Sequence, residues 1–280
     1  AITFDSPDGV YTIDAASAGD SLNLTGSTII ANTTTTINAK VTAANLSKLG
    51  TGALTLNDIS GLTAIINVTS ATLTLGDPAG LPGGVTGVTF GADSTLVNSS
   101  GALMDWTGKD TTVNGDFRIG TGDAMKFDVI DPGADYRVIR IDSAVEVSHF
   151  TGYHYGVVFG GAGTMTLTGE VGGSSFDRLV SITEDLTVVL NSPSVFMSGK
   201  GLYLHDTATL RLDADDQLGA SRIDLYDSST LDINSRTETL QQVNLHGFGA
   251  RIALTTGCLT ITGPVDAYGG ATLDTGTSGI

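Results

Sequence analysis

The densest group of side chains able to hold a ligand runs His149-Phe150-Thr151-Gly152-Tyr153-His154-Tyr155. Imidazole nitrogens ligate metals, and tyrosine offers an apolar face with a polar tip. Two histidines without nearby carboxylates make a weak metal set. His149, Tyr153, His154 and Tyr155 are therefore read as a candidate ligand patch of the sugar-stacking kind, against the blander alternative of packing at a coil edge. Two acidic runs, Asp213/Asp215/Asp216 and Asp128/Asp131/Asp135, carry the oxygen ligands that calcium prefers. The glycine-rich calcium nonapeptide is absent, so solvated turns are expected there. No cofactor is expected, and calcium at these acidic turns is the one candidate cation.

Catalysis on a polysaccharide needs either two carboxylates at a set separation or a base with a cation or arginine to stabilise developing charge. Asp224 with Arg222 and Asp206 can be assembled into such a set, but nothing in their spacing selects them. Nucleophile-elbow, zinc-protease and phosphate-loop motifs are missing, so no enzyme is expected. Cys258 lies in an alternating strand and is expected to be buried as a small apolar residue. Trp106, the only tryptophan, is expected as a core plug or a cap.

What must position these residues is a chain of short strands. Of 280 residues, 37 are glycine, 40% are hydrophobic and only 15% are charged. Apolar residues fall at every second position in Thr72-Leu73-Thr74-Leu75, Val138-Ile139-Arg140-Ile141, Leu186-Thr187-Val188-Val189-Leu190 and Arg222-Ile223-Asp224-Leu225, the period of a strand with one buried face. Gly, Asp, Asn and Ser punctuate them. One helical turn is allowed for, around Ala43 to Lys48. The formal net charge of -17 disfavours nucleic acid and anionic membrane as partners. A single cysteine rules out a disulfide within the chain, and no apolar run is long enough for a membrane-spanning helix.

The strands recur with their turns. LSKLGTGALTL at 46–56 returns as FGGAGTMTLTG at 159–169 and LTTGCLTITG at 254–263. A longer repeat aligns 72–98 with 209–234: Leu73 with Leu210, Leu75 with Leu212, Leu81 with Leu218, and Ser94-Thr95-Leu96 with Ser229-Thr230-Leu231. A strand of three to five residues cannot bury its apolar face alone, whereas stacking on the same strand of the next coil completes both a ladder and a core. The expected fold is all-β, a right-handed parallel β-helix (β-solenoid) forming a single elongated domain over 1–280. Its coils are expected at about 20–25 residues, with repeat-like segments at 45–98, 161–190 and 209–263.

Residues 45–83 resemble the autotransporter-associated β-strand repeat. Lys48, Gly50 and Gly52 match its Lys-x-Gly-x-Gly turn, Leu54-Thr55-Leu56 its first strand and Leu73-Thr74-Leu75-Gly76 its second. The middle turn, Ile59-Ser60-Gly61-Leu62, departs from the pattern, and the later copies lack the lysine. The resemblance implies a secreted bacterial β-helix, commonly a passenger or surface protein, and implies no catalytic residues because the motif is structural. The function expected is that of a non-enzymatic, extracellular structural or adhesive β-solenoid at a bacterial surface, located there after signal-peptide removal, as an adhesin, a filament or a surface-layer subunit. The alternative is a polysaccharide lyase, a hydrolase or a carbohydrate-binding β-helix. Both terminal stretches read as strand and turn with no capping helix, so end-to-end self-association is expected, with cell-surface or glycan contacts as further partners.

Overall fold

Short strands with one apolar face pair in parallel with their own equivalents one coil later. The computed structural model describes residues 1–6, 9–17, 19–132, 135–150, 156–169, 179–192, 201–219 and 222–274. Among these there is no helix, and every strand pairing is parallel. The protein is a β-solenoid. It divides into two compact units, Ala1–Asp131 and Pro132–Ile280.

In the first unit, ladder A stacks Ile2–Phe4, Thr28–Ala31, Leu46–Leu49, Ala64–Val68, Val85–Phe90 and Asp110–Val113. Ladder B stacks Tyr11–Ile13, Thr35–Ile37, Leu54–Leu56, Ala71–Leu75, Ser94–Asn98 and Phe117–Ile119. A shorter ladder C holds Ser21–Asn23, Lys40–Ala43 and Gly61–Leu62. Register gives the coil length. Thr35 faces Leu54 and Leu54 faces Leu73, 19 residues on each time, while Leu73 faces Leu96 23 residues on. The shortest coils are thus tighter than the sequence pattern implies. The long repeat has a simple geometry: its first strand pairs with its last, Leu73 with Leu96 in one copy and Leu210 with Leu231 in the other. Each copy is one coil plus the start of the next.

The recurring turn explains itself in this packing. Lys48 is fully buried, and its Nζ donates to the carbonyl of Gly50 at 2.7 Å and to that of Ser70, on the next coil, at 3.0 Å. Burial pushes the Lys48 ammonium down to about 8. A Cβ on Gly52 would sit 2.3 Å from the Thr33 carbonyl oxygen of the preceding coil, so only glycine lets the backbones approach. Gly161 and Gly163 in the second copy of the turn stand equally close to Ile141 and Ser143. The lysine and glycines of the motif join coils. At a nearby corner, Asn57 Nδ2 donates to Asn38 Oδ1 at 2.6 Å and Asn38 Nδ2 to Asp14 Oδ1 at 2.5 Å, an amide ladder across three coils.

In the second unit, ladder D stacks Arg137–Ile141, Gly156–Gly160, Leu179–Ile182, Gly201–Leu204, Arg222–Leu225, Gln242–Leu245 and Val265–Ala267. Ladder E stacks Ala144–Phe150, Thr164–Leu167, Thr187–Leu190, Thr209–Leu212, Thr230–Asn234, Arg251–Leu254 and Thr272–Asp274. A further pair joins Thr237–Leu240 to Cys258–Ile261. Glu238 on that pair is wholly buried and accepts the backbone N–H groups of Gln217 at 2.7 Å and Leu218 at 3.2 Å; burial pushes its carboxyl up.

Leu54, Leu56, Leu73, Leu75, Leu210, Leu212 and Leu231 are fully buried, as the alternation predicts. Leu259 and Ile261 face the same way but are only half-buried. Three expectations need correction or placing. Ala43 to Lys48 forms no helical turn: Lys40–Ala43 and Leu46–Leu49 are strands meeting at a corner. Cys258 is exposed rather than buried: it pairs in register with exposed Thr237 while Leu259 pairs with buried Glu238, so the alternation that turns Leu259 and Ile261 inward turns Cys258 outward. Trp106 is the core plug, fully buried and stacked on Phe127 with ring centroids 6.0 Å apart.

Candidate functional site

On ladder D the side chains of Leu202 and Leu204, Ile223 and Leu225, and Val243 and Leu245 fill the core. The alternate residues must then face outward. Register sets them in two columns, Gly201–Arg222–Gln242 and Tyr203–Asp224–Asn244, the second continuing to Asp266. The cluster the sequence could only assemble on paper is partly realised here. Arg222 reaches along its own strand and grips Asp224 bidentately, Nε to Oδ2 at 2.7 Å and Nη2 to Oδ1 at 2.9 Å. From the next coil Asn244 Nδ2 donates to Asp224 Oδ1 at 2.6 Å, and His246 Nε2 lies 3.1 Å from the same oxygen.

The Asp224 side chain is 0% exposed although it stands on the outer face. Burial alone pushes its carboxyl up; the hydrogen bonds from Arg222, Asn244 and His246 outweigh this and hold it below the ordinary value. Asp224 in turn raises Arg222, and burial with the Asp224 charge raises the Tyr226 phenol. This is the reverse of a general acid, which needs its carboxyl raised. It suits a carboxylate that fixes a guanidinium in place.

Asp206 is not part of this cluster. Its Oδ2 accepts the Glu184 N–H at 2.9 Å, and its own N–H points to Asp227 Oδ2 at 3.3 Å. Glu184 Oε2 likewise accepts the Gly161 N–H at 2.6 Å. Glu184, Asp206 and Asp227 form a staircase of carboxylates tying each turn to the one before, all three with left-handed backbone (φ 63°, 56° and 53°).

One residue before Asp206 and before Asp227 stands a ring, and the column goes on one coil at a time through the residues that precede Gly247 and Gly269. His205, Tyr226, His246 and Tyr268 stack face to face, with centroids 4.6, 4.6 and 5.7 Å apart and planes within 11° of parallel. Because the faces cover one another, the column shows mainly edges to solvent. Sequence reasoning missed this column, and Tyr203, Asn244 and His246 with it. The signal was there at coil spacing, in Leu204-His205-Asp206, Leu225-Tyr226-Asp227 and Leu245-His246-Gly247.

The patch singled out in the sequence is not brought into this cluster. His149 is exposed on Ala144–Phe150, and Tyr153, His154 and Tyr155 lie outside the described residues. Asp213 accepts Arg211 Nε at 2.9 Å and Asn234 Nδ2 at 3.2 Å, and Asp215 accepts the Thr237 N–H at 2.7 Å. Asp135 pairs with Arg137 at 3.0 Å. Among the described residues, no group of three or more His, Cys, Asp and Glu side chains converges as a metal set. Beside the Arg222–Asp224 pair lies an open groove of about 490 Å³, lined chiefly by Tyr203, Arg222, Gln241, Gln242, Thr262 and Pro264. Compared with known proteins, the chain matches no family profile, no curated protein and no solved structure.

Proposed function

We propose that this chain is a non-enzymatic structural β-solenoid exposed at a bacterial surface. The observation that carries the reading is the state of Asp224. The carboxylate best placed for chemistry on an outer ladder is out of solvent, held by Arg222, Asn244 and His246 and kept ionised. The other motif residues have the same character: Lys48, Gly52, Glu184 and Asp206 each link one coil to another. The extracellular setting rests on the likeness of 45–83 to the autotransporter-associated repeat and on the acidic composition. Association with further copies belongs to the same proposal and is read by sedimentation at rising concentration. Protease shaving of intact producing cells tests the setting: release of peptides from this chain supports it, and full protection until lysis contradicts it.

A further inference from the structure

We infer that the groove beside Arg222 is a binding site for a neutral polysaccharide chain. The site is built. Arg222 is half-exposed, yet its orientation is fixed by a carboxylate that is wholly buried. The bidentate grip uses Nε and one hydrogen of Nη2, which leaves the Nη1 donors of this groove-lining guanidinium outside the grip, in a plane the grip sets. Gln241 and Gln242 add amides, which donate and accept, and Thr262 adds a hydroxyl. The Tyr203 ring lies across Gly201, where a Cβ would meet it at 2.6 Å, so glycine makes room for an aromatic face in the groove wall. Planar donor and acceptor pairs beside one ring suit a ligand with hydroxyls on its rim and C–H groups on its faces.

Charge and backbone pairing decide among polymers. Arg222 is already neutralised by Asp224, Asp266 stands at the end of the adjoining column, and the chain carries a formal net charge of -17. An anionic glycan or a nucleic acid meets repulsion here. A peptide adding as a strand needs a free backbone edge, and the Arg222–Leu225 and Gln242–Leu245 strands are paired on both sides. The lining residues come from four successive coils of ladder D and the turns that enter them. At a spacing of about 4.8 Å this spans roughly 14 Å, the dimension of an extended chain rather than a compact metabolite.

The inference goes beyond the structural reading and does not depend on it. Calorimetric titration with neutral oligosaccharides (malto-, cello-, xylo- and manno- series), and with polygalacturonate and alginate fragments, tests it. At least one neutral series is expected to bind, with Tyr203→Ala and the groove-filling Gln241→Trp each weakening binding tenfold or more while the thermal midpoint holds. Gln241 is exposed, so the second variant keeps the test valid if the first disturbs folding. No neutral binding, tighter binding of the acidic fragments, or binding indifferent to both variants overturns the site. Cleavage of a bound glycan would contradict the non-enzymatic reading and leave the site standing.

Discussion

Arg222 and Asp224 stand two residues apart on one strand and meet through two parallel hydrogen bonds, at 2.7 and 2.9 Å, with the carboxylate 0% exposed. A buried charge of this kind is strongly dependent on its partners. Removing it leaves the Asn244 amide and the guanidinium without their acceptor. Asp224→Ala is expected to destabilise the second unit by about 2–4 kcal/mol, toward the lower end because Arg222 is half-exposed. The carboxyl sits below its ordinary value of 3.8 in the fold. Its contribution is therefore present above that value and is lost as pH falls through the lower folded one. Urea unfolding from pH 6 to pH 2.5 should show the wild type losing its advantage over Asp224→Ala in the acid range; a difference independent of pH would contradict the assignment.

Lys48 gives a pH dependence of the same sign in an alkaline window, in the first unit, though here the fold disfavours the charged form rather than favouring it. Its ammonium is lowered from 10.5 to about 8 by burial. Between those values the unfolded chain holds more protons than the folded one, so stability rises with pH across that window. The ceiling is about 3 kcal/mol. Lys48→Met should flatten the rise, measured as urea midpoints from pH 7.5 to 10.5. Equal slopes for both proteins would show that Lys48 is not buried as described.

Glycine substitutions separate contact from mere abundance. Gly52→Ala places a methyl against the Thr33 carbonyl and should destabilise by several kcal/mol. A Cβ on Gly83 meets nothing within 4 Å, and Gly83→Ala should fall within about 0.5 kcal/mol of wild type. Chemical denaturation of the pair checks this, and similar losses for both would count against the close approach of coils.

Core truncations should grade along the second unit. Leu210→Ala, at a fully buried site, is expected to cost about 2–5 kcal/mol. Leu259→Ala, at a half-buried site, should cost less than half as much. Denaturant midpoints at matched m-values decide it; equal costs would contradict the described packing.

Much of the solenoid was legible because its core obeys a local rule. Leu73 and Leu75 alternate with threonines, and the same alternation returns at Leu96, one coil on. The candidate site was legible only in part. Arg222 and Asp224 are visible as neighbours, but their other partners arrive from the next coil, 20 residues away for Asn244 and 22 for His246. Coil lengths vary from 19 to 24 residues even within ladder B, so no fixed period brings such residues together on paper. Cys258 was misplaced for a different reason: in Cys258-Leu259-Thr260-Ile261 a small thiol passes as apolar, although an inward Leu259 and Ile261 already place it on the outer face, as its pairing with exposed Thr237 shows. The face-to-face ring column was hidden because its members differ in type from coil to coil.

The most direct measurement is a search for turnover. Purified protein is incubated with neutral and acidic polysaccharides, and reducing ends and unsaturated sugars are assayed over long times, with Asp224→Asn in parallel. No product above background from either protein is expected, because Asp224 is held ionised and enclosed rather than poised to exchange a proton. Robust product release by the wild type that Asp224→Asn abolishes would contradict the account.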